Sequence, residues 1–124
     1  MPVETGLSAE IELTVTDADT AIALRSGDVP VLATPRIIAL CEEASVAAVV
    51  DQLEPGQTSV GHTVQLDHVV PTAVGGRVRA EATLSKVAGR KLTFTVSVSD
   101  TRGLVAAGKI ARVIVDTERF LEKA

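Results

Sequence analysis

Hydrophobic and polar residues alternate with period two over several stretches of the chain, and over one stretch they do not alternate at all. "AEIELTV" sets Ile11, Leu13 and Val15 against Glu10, Glu12 and Thr14, the pattern of a half-buried strand. Val78, Ala80, Ala82 and Leu84 alternate with Arg79, Glu81 and Thr83, and Leu92, Phe94, Val96 and Val98 alternate with Thr93, Thr95, Ser97 and Ser99. "QTSVGHTVQLDHVV" and "LVAAGKIARVIVD" supply two further strands. The turn-forming "PTAVGG", "GRK" and "TRG" separate the last four strands, so consecutive strands are expected to pair antiparallel. The terminal "TERFLEKA" reads as a tail.

The exception is "ATPRIIALCEEASVAAVVDQLEPG", the one convincing helix. Thr34 can cap it, Pro35 suits its first turn, and it should stop before Pro55 and Gly56. Ile37, Ile38, Leu40, Cys41, Ala44, Val46, Ala47, Val49 and Val50 cover most of its circumference, which predicts a buried helix. The segment before it, "TDADTAIALRSGDVPVLATP", is a loop with a short ordered piece near Ala21 to Leu24. The order is strand, helix, four strands. The expected class is α+β: a hot-dog fold, an antiparallel sheet wrapped around one long buried apolar helix. The edges and open face of such a sheet are usually covered by a second subunit, so a homodimer or a tetramer built from it is expected.

Composition narrows the function. At 124 residues the chain is long enough for a single domain, 1–124, with a modest core. Aromatic content is 2% with no Trp or Tyr, which leaves an aliphatic core and little for bases to stack on. The net charge of −4 gives no basic surface for a phosphate backbone, so no nucleic-acid partner is expected. One cysteine, Cys41, excludes an internal disulfide and a Cys-based zinc cluster. "MPVETGLSAEIEL" lacks the pattern of a signal peptide, and the apolar tract around Cys41 is too short and too charged to span a bilayer. A cytoplasmic protein with no membrane association is expected.

A few residues can carry chemistry. Glu42 and Glu43 point about 100° apart on the helix, so one can face solvent while the other faces a site. Thr34 lies a little over two turns before Glu42, along one side of the helix; it is either a cap or a member of that site. On the strand ending in "VQLDHVV", alternation puts Val64, Leu66 and His68 on one face and Asp67 on the other. Asp67 is therefore a poor candidate for orienting His68. His68 is either a satisfied, half-buried histidine or a base whose partner comes from the helix. His62 falls on the same face by that alternation but too far from His68 to share a metal, and no metal site is expected. Gly61 marks a bulge or a close approach of a ligand to the backbone, where an amide can stabilise an oxyanion. Arg90 and Lys91 at a hairpin are either a solvated turn or a phosphate clamp. Arg112 is a sheet-surface charge or a group lining the site. Cys41 is expected to pack rather than react.

Four stretches together, "VLATPRIIALCEEASV", "SVGHTVQLDHVVPTAVG", "GRKLTF" and "AAGKIARVIV" with the following "ERF", resemble the fluoroacetyl-coenzyme A thioesterase-like family of hot-dog proteins. The resemblance runs from about Pro30 to Phe120. It implies a catalytic set of Thr34, Glu42 and His68, with Gly61 and Arg112 matching a glycine and an arginine of the family. The implied activity is acyl-CoA thioester hydrolysis on a small or polar acyl group. No cofactor is implied beyond the coenzyme A carried by the substrate. His68 would be the base, Thr34 or Glu42 the nucleophile or its positioner, Gly61 the oxyanion donor and Arg112 the acyl-orienting group; Arg90 and Lys91 would meet the phosphates. The fluoroacetyl-specific enzyme carries aromatic residues in the loop before the helix, and "ALRSGDVPVLA" has none. That difference counts against fluoroacetyl selectivity and leaves thioester hydrolysis untouched. A non-catalytic acyl-CoA-binding module is the alternative. A hydratase would need an Asp and His pair acting together, which the strand phase of Asp67 and His68 denies.

Overall fold

The computed structural model describes residues 3–124. Strand β1 (Ser8–Thr14) leads through a long loop to helix α1 (Thr34–Val49), then β2 (Gln57–His68), β3 (Arg77–Ala88), β4 (Lys91–Asp100), β5 (Gly103–Asp116) and a short helix α2 (Thr117–Leu121). The five strands form one antiparallel sheet in the order β1-β3-β4-β5-β2. This is the expected hot-dog architecture. No helix among the described residues is long and apolar enough to cross a membrane.

The alternating strands behave as their pattern requires. Val78, Ala80, Ala82 and Leu84 of β3 and Leu92, Phe94, Val96 and Val98 of β4 are buried, while Arg79 and Glu81 are exposed. Against them α1 buries Ile37, Leu40, Cys41, Ala44, Ala48 and Val49. The alanines on both surfaces let the helix lie close to the sheet, chiefly over β1 and β3.

Three expectations change. First, β2 and β3 do not pair. Only β3, β4 and β5 form a meander; β2 crosses to the far edge and pairs with β5. The segment after His68 is no hairpin turn because its backbone is engaged elsewhere: Val69 N–H donates to Val105 O (2.9 Å), and Leu32 N–H donates to Thr72 O (2.8 Å). Second, α1 is not covered all round. Val46, Ala47 and Val50 are exposed beside Glu43. Third, the last eight residues are not a simple tail, since α2 forms within them and is tied at its start by Thr117 N–H to Gly56 O (2.9 Å). Five residues are too few to show a helical period in the sequence.

Candidate active site

The first cluster forms where α1 begins. Ala33, not Thr34, occupies the N-cap position, with extended angles (φ −74°, ψ 141°); Thr34 is already helical. The Thr34 hydroxyl therefore makes no capping bond and is available for another partner. It lies 2.7 Å from Nδ1 of His68, the last residue of β2. His68 pairs with Ala106 of β5, whose side chain is in the core, so the imidazole faces the helix side of the sheet. Asp67 is exposed and pairs with Ala107, as strand phase requires. The other imidazole nitrogen, Nε2, is buried and has no hydrogen-bond partner within the chain. An imidazole with one ring nitrogen bonded and the other free keeps hydrogen-bonding capacity in reserve.

A buried carboxylate fixes the helix start. Asp19 accepts from Thr16 N–H (2.8 Å), Thr16 Oγ1 (3.0 Å) and Arg36 Nε (3.0 Å), and its own carbonyl accepts from Ala33 N–H (2.9 Å). The loop is thus fastened to the first turn that carries Thr34. Burial pushes the Asp19 carboxyl up, but the bonds from Thr16 and Arg36 outweigh it and hold the group below its ordinary value.

The second cluster lies two turns further along α1. Arg112 is buried in β5 and each of its three guanidinium nitrogens donates: Nη1 to Glu42 Oε2 (2.7 Å), Nε to Ser59 Oγ (3.0 Å) and Nη2 to Ser59 O (2.7 Å). Gly61 pairs directly with Arg112. A β-carbon at Gly61 would stand 2.7 Å from Glu42 Oε2, so the missing side chain is what lets the carboxylate rest on the β2 backbone. The strand is bulged here: the register shifts between Gly61 and Thr63, leaving His62 as the extra residue. The bulge resets the alternation. Ser59 and Gly61 take the helix-facing phase that Val64, Leu66 and His68 hold later, and the expectation that His62 shares the phase of His68 is corrected. Glu43, as expected of one of the pair, is exposed, 3.9 Å from Arg36 Nη1. Glu42, Arg112, the bare face of α1 (Ala39, Val46, Ala47) and Val50 just past its end line an open groove of about 490 Å³.

Within one chain the two clusters stay apart. Thr34 and Glu42 are separated by about 12 Å along the helix axis, at roughly 1.5 Å per residue. The structure joins Thr34 to His68, and Glu42 to Arg112 and Gly61, but not one set to the other. Arg90 and Lys91 stand on the β3–β4 hairpin at the Arg112 end of β5: Lys91 is exposed and pairs with Val113, and Arg90 Nη1 donates to Ile114 O at 3.4 Å. Cys41 is buried in the core, and burial, with the Glu42 charge beside it, pushes its thiol up to about 11, so it packs and does not react. No set of His, Cys, Asp and Glu among the described residues is placed to hold a metal.

Sequence reasoning missed three supporting residues. Ser59 holds two of the Arg112 donors, and Asp19 holds the helix start. Gly108, opposite Leu66, lets β2 approach β5: a β-carbon there would run into Gln65 O and stand 2.8 Å from Leu66 Cα. Only Gly108 left a signal, a glycine inside the strand pattern of "AAGKIARV".

Residues 15–118 match the family described as fluoroacetyl-CoA-specific thioesterase. The fluoroacetyl-CoA thioesterase of Streptantibioticus cattleyicolor is 34% identical over 93 residues, which are 75% of this chain and 67% of that protein. A solved structure of fluoroacetyl-CoA thioesterase superposes with a TM-score of 0.93 at 29% identity, over 99% of this chain and 96% of that one. An alanine mutant of that enzyme in complex with fluoroacetate and CoA superposes at 0.89, with 29% identity over 95% of this chain and 99% of the other. A thioesterase superfamily member from Thermus thermophilus gives 0.90 at 26% identity, over 98% and 90%. The chain belongs to the fluoroacetyl-CoA-specific thioesterase family, a family of acyl-CoA thioester hydrolases with the hot-dog fold.

Proposed function

We propose that this protein hydrolyses the thioester of a small or polar acyl-CoA, with Thr34, His68 and Glu42 as its catalytic set. The observation that carries this reading is the 2.7 Å contact between Thr34 Oγ1 and His68 Nδ1. A hydroxyl released from capping duty and paired with an imidazole has the arrangement of an activated nucleophile and its base. His68 takes the proton as Thr34 Oγ1 attacks the thioester carbonyl, and the negative charge develops on the carbonyl oxygen. The C–S bond breaks and the CoA sulfur leaves with that proton. Water then attacks the acyl-threonine ester, His68 taking its proton and returning it to Thr34 Oγ1, and the free acid departs. The backbone at Gly61 is the oxyanion donor, Glu42 positions the attacking groups, and Arg112 holds Glu42 and orients the acyl end. CoA enters as part of the substrate, and the chemistry requires no metal or resident cofactor. Arg90 and Lys91 face the phosphates.

The set closes in a homodimer. Strand β2 is a twelve-residue edge with no strand paired to its free side among the described residues, and the groove over α1 beside it is apolar. Two copies of β2 paired antiparallel about a two-fold axis midway between Gly61 and His68 place the Gly61–Glu42 cluster of one copy beside the Thr34–His68 cluster of the other. Each dimer then carries two complete sites. The loop before α1 exposes Ile22, Leu24 and Val29 and holds no aromatic residue, so selection for a fluoroacetyl group is not expected.

The test is thiol release across acyl-CoAs of varied length and polarity, with His68→Ala as control. Turnover of a short or polar acyl-CoA that His68→Ala abolishes is expected; no turnover across the panel overturns the reading. Mixing inactive His68→Ala and Glu42→Gln chains should restore about one quarter of the activity, since half the dimers would carry one intact site.

A further inference from the structure

The chain that leaves His68 builds an apolar wall. Val69, Val70 and Pro71 follow it directly, and Val31 comes alongside from the loop before α1, held by its bridge to Ala73. With His68 these four residues line an open groove of about 240 Å³, in which His68 is the only polar side chain. The backbone of the wall is committed as well. Val69 and Val70 N–H both donate to Val105 O (2.9 and 3.4 Å), and the Val31 carbonyl accepts from Ala21 N–H (2.9 Å). Pro71 has no N–H, and its carbonyl accepts from Arg102 Nη2 (3.3 Å). A polar group entering here would give up water and find little to bond with, whereas a hydrocarbon gives up nothing. Val69 is 59% exposed and Val31 and Val70 are half-buried, so the wall has apolar surface left to cover. Beyond Val31 and Pro71 the surface changes. The next groove shares those two residues but carries Arg77 and Arg102, already paired with Glu12 at 2.7 Å and Asp100 at 3.1 Å.

We infer that the acyl group of the substrate is a short saturated chain, linear or branched, laid along Val31, Val69, Val70 and Pro71. The inference rests on the proposed acyl-CoA hydrolysis and narrows its substrate from small or polar acyl groups to small apolar ones. The groove begins at the reacting pair: His68 lines it, and Thr34 Oγ1 is 2.7 Å from His68 Nδ1. A thioester carbonyl within reach of Thr34 therefore has the valines next to it. Each methylene taken from water onto them should tighten binding about two- to fourfold, the lower figure for half burial and the upper for full burial. The gain should stop where the ion pairs of Arg77 and Arg102 begin, because a chain over solvated charges removes little apolar surface from water. A carboxylated or fluorinated acyl group gains nothing from this wall.

The experiment is a calorimetric titration of the full-length protein with S-ethyl-, S-butyl-, S-hexyl- and S-decyl-CoA, thioethers that have no carbonyl to attack. The Kd of wild type should fall about two- to fourfold per methylene up to the hexyl compound and then level off. Val31→Ala with Val69→Ala should remove most of that gain. Val87→Ala, at an exposed valine of β3 outside the groove, should keep it. A Kd that does not change from ethyl to hexyl, no binding of any thioether, or a gain that survives the double substitution would overturn the assignment. Thiol release is measured separately. Fastest release from a carboxylated or fluorinated acyl-CoA would also overturn it. Absence of release from every acyl-CoA sinks the hydrolase reading, while a length-dependent Kd that follows the valines supports this one.

Discussion

The two clusters along α1 are built on opposite plans. At Thr34 and His68 a single contact joins two side chains, and His68 Nε2 has no partner. At Glu42 and Arg112 all three nitrogens of a buried guanidinium are engaged, with a carboxylate, a hydroxyl and a carbonyl. The first cluster has spare hydrogen-bonding capacity and little structural duty. The second is bound into the fold, joining α1 to β2 and β5. A reacting group must be able to change partners, whereas a positioning group must not. The contrast therefore separates the pair that exchanges a proton from the cluster that holds Glu42 in place, where the loss of Arg112 loosens the frame.

The largest expected effect tests the open cluster. Loss of an imidazole that moves the proton should lower kcat by about 10²–10⁴-fold. His68→Ala and Thr34→Ala should both do so, with thermal unfolding nearly unchanged, because neither side chain belongs to the core. A melting temperature that falls with the activity would erase the distinction between the clusters.

Next is Arg112→Ala, which should act mainly on stability. Removing one partner of a buried pair typically costs about 3–5 kcal/mol. Glu42 keeps 34% of its side chain in solvent, so the lower end of that range, about 3 kcal/mol, is expected. Denaturant unfolding measures it. Ser59→Ala should reproduce a fraction of the loss, since the Ser59 carbonyl remains to hold Nη2.

A pair of glycines sharpens the comparison further. A β-carbon at Gly61 meets the end of a flexible Glu42 side chain, which can swing away, whereas at Gly108 it meets strand backbone, which cannot. Gly61→Ala should leave the protein folded and displace the carboxylate, lowering kcat/KM about tenfold, or near 1.4 kcal/mol. Gly108→Ala should instead lower the yield of folded protein. Circular dichroism and thiol release read the two outcomes side by side. An inert Gly61→Ala would remove Gly61 from the site.

These positions also show what the sequence could and could not disclose. Val78 to Leu84 and Leu92 to Val98 declared their buried faces because alternation needs only local information. The helix was visible for the same reason. Pairing was not: nothing near "PTAVGG" says that β2 will leave β3 for β5, because that choice lies in bonds to Val105 and Leu32, far away in the chain. Phase failed at one bulge, since a single extra residue at His62 exchanges the faces of everything before it. Thr34, Glu42 and His68 were found by resemblance, and the geometry then divided them in a way that spacing could not foresee. Ser59 and Asp19 stayed hidden because a serine or an aspartate in a polar segment has no pattern that marks it as the partner of an arginine 53 or 17 residues away.

The smallest expected effect concerns Asp19, which serves the open cluster from a distance. Its carboxyl sits below the ordinary value of 3.8 in the folded protein, because Thr16 and Arg36 bind the charged form. A carboxyl lowered on folding contributes stability above its unfolded value, and that contribution disappears as pH falls through the folded value. Between pH 7 and about 5 it should therefore be constant, and below about pH 4 it should fade. Asp19→Asn should cost about 1 kcal/mol at neutral pH and flatten this acid limb, because the amide keeps an acceptor for Thr16 but loses the charge that Arg36 meets. Urea unfolding of both proteins from pH 7 to pH 3 measures the difference, which should shrink toward acid. Since Asp19 also fastens the turn that carries Thr34, the variant should lose some kcat at pH 7, and its melting temperature should fall by only a few degrees. Parallel wild-type and Asp19→Asn curves at every pH would show that the carboxylate contributes nothing to the helix start, and that Thr34 is held by the backbone bonds of Ala33 alone.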